Sequence, residues 1–158
     1  MVSVVMATFN EPKKFIEESI SSILNQTHQN LELLIADDST SEETINVIDD
    51  FAVKDERVVV IRKSERMGFV NALNECLNAA KGEFVARMDG DDISLPNRFE
   101  IQLQYAEKHP TIDVFGGDLI IVDENDREKS ERLYPVTSFA IWRRFLWRKF
   151  ITTSQIHC

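Results

Sequence analysis

The sequence predicts an α/β fold, a mostly parallel sheet flanked by helices. Three observations predict it. Short apolar, β-branched runs alternate with segments whose apolar residues recur at helical spacing. Four such strand–helix units follow one another, the order that a parallel sheet with crossover helices requires. Polar residues then gather directly after each expected strand, where open parallel sheets bind their ligands.

The elements follow in order. Residues 2–7 are short, β-branched and nearly all apolar, a buried strand. Pro12 opens a helix carrying Phe15, Ile16, Ile20, Ile23 and Leu24 on one side. Residues 31–36 make a second buried strand. Ser41 starts a capping box with Thr44 in the reciprocal position and Glu42 and Glu43 in the first turn. That helix presents Ile45, Ile48 and Phe51. Residues 58–61 are a third strand, and 69–80 a helix that Gly82 is expected to stop. Residues 83–88 form the fourth strand and 95–108 the helix after it, closed by His109-Pro110. Beyond this the alternation changes. Residues 119–122 read as a strand, Asp123-Glu124-Asn125-Asp126 as a turn and the pair as a hairpin. Residues 138–150 look helical.

A chain of 158 residues with 43% apolar side chains fits one domain with a real core. Its net charge of −9 argues against a nucleic-acid partner. All 27 acidic side chains lie at or before Glu131, whereas Arg132, Arg143, Arg144, Arg148 and Lys149 follow it. Cys76 falls on an apolar helical face and reads as a buried free thiol; Cys158 is far from it, with no Cys-x-x-Cys spacing. The first residues lack the basic region of a signal peptide, and no run has the length of a membrane span. A cytoplasmic location is the expectation.

The strand ends carry Thr8, Asn10 and Glu11; Asp37 and Asp38; Arg62, Lys63, Arg66 and Gly68; and Asp89, Asp91 and Asp92. The last group is the most telling. Its carboxylates are separated only by Gly90, and carboxylates that close repel one another unless water or a cation screens them. Hard divalent ions such as Mg²⁺ and Mn²⁺ prefer oxygen ligands. No glycine-rich phosphate loop of either common kind is present, and no G-x-S-x-G or H-E-x-x-H. A bound diphosphate would therefore need a cation. His28, His109 and His157 are scattered and read as structural or solvated.

In sequence order these segments resemble glycosyltransferase family 2. They are Val-Ser-Val-Val-Met-Ala-Thr-Phe-Asn-Glu at the start, Ser19-Ile20-Ser21-Ser22-Ile23-Leu24-Asn25-Gln26-Thr27, Leu33-Leu34-Ile35-Ala36-Asp37-Asp38-Ser39, and Ala79-Ala80-Lys81-Gly82-Glu83-Phe84 leading into Asp89-Gly90-Asp91-Asp92. The resemblance implies a GT-A (Rossmann-like) fold and inverting transfer of a sugar from a nucleotide diphosphate donor, UDP-sugar first. It implies that Ala7, Thr8 and Asn10 lie against the nucleoside. Asp38 would accept a hydrogen bond from the base, and Asp37 would order the loop. Arg66 and Gly68 would join the nucleotide site. Asp89 would sit near the ribose or a metal-bound water, and Asp91 would ligate a divalent Mn or Mg ion. Asp92 is read either as part of this site or as a cap of the next helix.

The same resemblance implies a general base on an acidic residue beyond residue 158, so no catalytic residue is assigned. The expectation is a single nucleotide-sugar-binding domain, part of a longer enzyme and truncated before the acceptor-binding half. The alternative is a fragment that binds nucleotide and metal without transferring sugar. The acceptor would be a sugar, a lipid-linked molecule or a protein. Residues 141–150 set aromatic side chains among cations, either as a core helix or as a surface for peripheral membrane association. A phospho-receiver domain would need a lysine closing a later strand, where Asp123 stands. A nucleotidyltransferase would need a glycine-rich basic loop after the first strand.

Overall fold

The structure is a computed structural model that describes residues 1–123 and 127–134. The chain divides into two compact units, Met1–Pro110 and Thr111–Cys158.

The first unit contains β1 (Val2–Thr8), α1 (Lys13–Leu24), β2 (Leu31–Asp37), α2 (Glu42–Lys54), β3 (Val58–Ile61), α3 (Phe69–Ala79), β4 (Phe84–Asp89) and α4 (Arg98–Lys108). The strands form one sheet in the order β3-β2-β1-β4. All three pairings are parallel. β1 lies at the centre, with Thr8 beside Asp37 and Ala7 beside both Ala36 and Asp89. Register alone therefore brings the ends of β1, β2 and β4 level.

Side chains alternate between the two faces of the sheet, and both faces are covered. On one, Val2, Val4, Met6, Leu33 and Ile35 pack with Ile16, Ile20 and Ile23 of α1, Val47 and Ile48 of α2, and Phe99 of α4. On the other, Val5, Leu34 and Ala36 pack with Ala72 and Cys76 of α3. Burial on two faces explains the near-continuous apolar runs of β1 and β2. Each large aliphatic side chain so removed from water contributes about 1.5–3 kcal/mol. Cys76 is free and buried, as expected, and burial pushes its thiol pKa up.

Helix ends differ in several places from what the sequence predicts. Pro12 is the N-cap of α1, with ψ 140°, rather than its first helical residue. The Ser41 cap holds: its hydroxyl accepts from Thr44 N at 3.5 Å. The buried face of α2 is Thr44, Val47 and Ile48, with Ile45 and Phe51 only half buried. The Thr44 hydroxyl donates to the Glu11 carbonyl at 3.0 Å, which gives this buried polar side chain its partner.

Gly82 does not stop α3. The helix ends at Ala79, and Ala80 is already extended. Gly82 instead passes close to the start of β1: a Cβ there would meet Ser3 N at 2.6 Å. Its N–H donates to Ser3 Oγ, which in turn donates to Glu32.

α4 starts at Arg98, three residues later than expected, with Asn97 as N-cap. Pro96 disfavours helical geometry at Leu95. The Leu95 and Pro96 carbonyls are also already taken, by Gln26 Nε2 and by Thr27 N. Asp92 consequently does not cap this helix.

The second unit, as far as it is described, is an antiparallel hairpin of β5 (Leu119–Val122) and β6 (Glu128–Arg132). Asp123 N donates to the Arg127 carbonyl, and Arg127 N to Asp123 Oδ1, closing the hairpin. Glu124, Asn125 and Asp126 lie outside the described residues, as does the helix expected over residues 138–150. Among the described residues no helix is long and apolar enough to cross a membrane.

Candidate nucleotide and metal site

The carboxyl ends of the strands are tied together by polar bonds between neighbouring loops. Thr8, buried at the end of β1, donates from Oγ1 to Asp37 Oδ1 at 3.0 Å. Asp37 also accepts from Ser39 N at 2.9 Å and from Arg62 Nε at 2.8 Å. Burial alone would raise the Asp37 pKa, but the bonds from Ser39 and Arg62 outweigh it and hold the carboxyl below its ordinary value. Asp37 thus ties Thr8 of the first strand and Arg62 after the third to its own loop.

Asp38 bridges two loops. Its Oδ1 accepts from Met67 N at 2.9 Å, its Oδ2 from Gly68 N at 2.7 Å, and its own N–H donates to the Thr8 carbonyl. Each oxygen keeps a further lone pair for a ligand. Gly68 has φ +72°, a conformation strained for any residue with a side chain. Asn10 binds the first loop to the second. It adopts φ 61°, which asparagine tolerates better than most residues. Its Oδ1 accepts from Thr40 N and Ser41 N, both at 2.8 Å, and its N–H donates to Ser39 Oγ.

The fourth strand brings the acids. Asp89 pairs with Arg87 at 2.6 Å, and its carbonyl accepts from Ser19 Oγ at 2.9 Å. Gly90 is buried against the first loop: a Cβ would lie 3.3 Å from both Glu11 Cδ and Thr8 Cγ2. Glu11 accepts from Phe9 N at 2.8 Å. Burial pushes the Glu11 carboxyl up, and the negative charges of Asp91 and Asp37 add to this. Asp91 itself is exposed and has no hydrogen bond or ion pair within the described residues.

Among the described residues no three acidic, histidine or cysteine side chains form a ready-made cage for an ion. Mg²⁺ and Mn²⁺ commonly bind through one or two carboxylates and complete their shell with substrate phosphates and water. The donor set fits such an ion, with Asp91 as the unengaged carboxylate and Asp89 beside it in sequence but already paired.

The basic residues separate into two groups. Arg62 is held by Asp37 and Asp49, and Lys63 pairs with Glu75 at 2.9 Å. Their charge is spent inside the protein. Arg66 instead lies over the Phe9 ring, 3.7 Å from its centroid. Both side chains are exposed.

Thus Thr8, Asp37, Asp38 and Gly68 are knit together by direct bonds, Asn10 joins them through Ser39, and Ala7 stands level with Asp89. Arg66 joins the edge through Phe9. Phe9 is absent from the polar residues that mark the strand ends in the sequence, and Glu11 stands among them with no role of its own. An aromatic ring directly after a strand, flanked by Thr8 and Asn10, is the signal for the first. The contact of Glu11 with Gly90 needs the fold.

The profile of Glycosyl transferase family 2 matches residues 3–156. An uncharacterized glycosyltransferase of Methanocaldococcus jannaschii, MJ1057, is 33% identical over 153 residues, covering 96% of this chain and 53% of its own. An Escherichia coli protein, UDP-Glc:alpha-D-GlcNAc-diphosphoundecaprenol beta-1,3-glucosyltransferase WfgD, is 34% identical over 125 residues, covering 79% of this chain and 48% of its own. The chain thus spans about half the length of these relatives. Among solved structures, the mannosyltransferase PcManGT of Pyrobaculum calidifontis, in complex with GDP-Man and Mn²⁺, superposes with a TM-score of 0.58 at 27% identity. That match covers 79% of this chain and 36% of the mannosyltransferase. The parallel sheet with its flanking helices is the GT-A arrangement, and the chain belongs to glycosyl transferase family 2.

Proposed function

We propose that this chain is the donor-binding part of a glycosyltransferase that takes its sugar from a nucleoside diphosphate, uridine diphosphate first, with a divalent cation at Asp91 and Asp89. The observation that carries this reading is the exposed, unengaged Asp91 carboxylate at a sheet edge whose other acids are committed to loop bonds. Thr8, Asn10, Asp37 and Asp38 build a rigid floor beside it. Ala7, level with Asp89, leaves room for the nucleoside where a larger side chain would fill the edge.

Phe9 is an exposed aromatic ring at this edge, covered by the Arg66 guanidinium. The pair offers a base a stacking surface, and a diphosphate a cation that no carboxylate holds among the described residues. Asp38 retains acceptor capacity for a base N–H, and Gly68 lets the backbone approach. When bound, a divalent cation supplies positive charge beside the diphosphate that leaves with extra negative charge. The cation in the mannosyltransferase complex and the UDP donor in the WfgD name support both parts of the reading. The lipid-linked acceptor in that name makes a lipid-linked sugar the first candidate here, at the cytoplasmic face of a membrane.

A thermal-shift panel of UDP, GDP and dTDP, with and without Mn²⁺, tests the proposal. A ligand at about 100 times its Kd stabilises the native state by about 2.7 kcal/mol. UDP with Mn²⁺ is expected to raise Tm most. If no nucleoside diphosphate raises it, with or without the ion, the reading is wrong.

A further inference from the structure

The face of α1 turned toward β4 carries a line of polar side chains in an otherwise apolar core. Ser19 and Ser22 stand three residues apart on one side of α1, and Gln26 follows just past the end of the helix. Ser19 and Gln26 are fully buried, at 0% exposure. Each of the three grips a successive point of the segment that carries the acids. Ser19 Oγ donates to the Asp89 carbonyl at 2.9 Å. Ser22 Oγ accepts from Ser94 N at 3.0 Å while donating to the Ser19 carbonyl at 2.7 Å. Gln26 Nε2 lies 3.1 Å from Ser94 Oγ and 2.7 Å from the Leu95 carbonyl, and also reaches the Ser22 carbonyl at 3.0 Å. Its Oε1 accepts from Phe99 N at 3.2 Å, which settles the orientation of the amide, because an N–H can only donate.

Burying these groups costs free energy unless each finds a partner, and every partner found is on α1 itself or on the stretch from Asp89 to Phe99. An apolar stripe would pack α1 against the sheet just as well. What the polar residues add is fixed position. Asp91 hangs between two pinned points, the Asp89 carbonyl and the Ser94 N–H, and the Asp92 N–H closes the turn onto that same carbonyl at 3.4 Å. Metal ligands are commonly held in this way by outer groups that never touch the ion.

We propose that Ser19, Ser22 and Gln26 form a positioning seam that sets the Asp89–Asp91 turn for cation binding, so that α1 controls how strongly a divalent ion tightens nucleotide binding. The proposal rests on the metal reading above. Its test is calorimetric titration of UDP, with and without Mn²⁺, into the parent, Ser19→Ala and Ser22→Ala chains. Alanine is the strongest helix former, so neither change weakens α1 by propensity. Each removes one grip on the turn, and Ser22→Ala serves should Ser19→Ala fail to fold. The expected result is metal-free UDP affinity within about twofold of the parent, with most of the Mn²⁺-induced tightening lost. A purely structural role would lower Tm and leave that tightening at the parent value, and this outcome overturns the proposal. So does an equal loss of affinity with and without the ion. A parent chain whose affinity ignores Mn²⁺ overturns the metal reading itself, and the seam with it.

Discussion

Asp91 and Asp37 are both carboxylates at strand ends, and the fold gives them opposite work. Asp91 stays exposed and unbonded, available to a ligand. Asp37, its side chain fully buried, is used up by Thr8, Ser39 and Arg62. The Asp37 pKa lies below its ordinary value in the folded state. Its bonds thus favour the ionised folded protein. Their stabilisation is fully present above the unfolded carboxylate value, near pH ~4, and is lost as pH falls through the lower folded value. Urea midpoints of the parent and Asp37→Asn should accordingly differ most near neutral pH and converge in acid; a constant difference would contradict the assignment. The candidacy of Asp91 is legible in the sequence, because crowded acids after a strand raise the question of a cation by themselves. The division of labour is not. It depends on Arg62 reaching Asp37 from the far side of β2, and only the register of β1, β2 and β3 decides that.

Elements were largely legible, because burial on two sheet faces writes long apolar runs into β1 and β2, and three isoleucines mark the inner side of α1. Their ends were less so, because ends depend on partners distant in sequence. α4 starts late because Gln26 and Thr27 hold the Leu95 and Pro96 carbonyls. The two glycines at either end of the sheet show the same contrast. Gly82 is required by closeness, with a Cβ only 2.6 Å from the Ser3 nitrogen, a backbone atom that cannot swing aside. Gly68 has open space around it and is required by its φ of +72°. Gly82→Ala should cost about 1–3 kcal/mol through forced backbone movement. Gly68→Ala should cost about 1–2 kcal/mol through the left-handed conformation. Urea unfolding measures both. The site provides a further discriminator: Gly68→Ala should also weaken UDP binding, since Asp38 grips the Gly68 N–H, whereas Gly82→Ala, at the opposite end of the strands, should not.

At the scale of the molecule, a parallel sheet places its loops on one edge, and this chain concentrates its chemistry there. Four strand ends contribute acids, an exposed aromatic ring and an exposed arginine, while the opposite edge carries the Glu32–Ser3–Gly82 bonds. The sequence order of the strands made this convergence foreseeable. The closeness of Glu11 to Gly90 and the stitching of α1 to the Asp89–Phe99 stretch were not, since both join residues far apart in the chain through contacts that only packing creates. In the proposed site Asp91 couples a divalent cation to a nucleoside diphosphate. Calorimetric titration of UDP into the parent and Asp91→Ala, with and without Mn²⁺, measures this coupling. Asp91 is exposed and unbonded, so the substitution should leave stability within about 0.5 kcal/mol. The predicted result is a Mn²⁺-induced tightening of about tenfold, equivalent to about 1.4 kcal/mol, in the parent and none in Asp91→Ala, with matching metal-free affinities. Equal tightening in both proteins would contradict the claim.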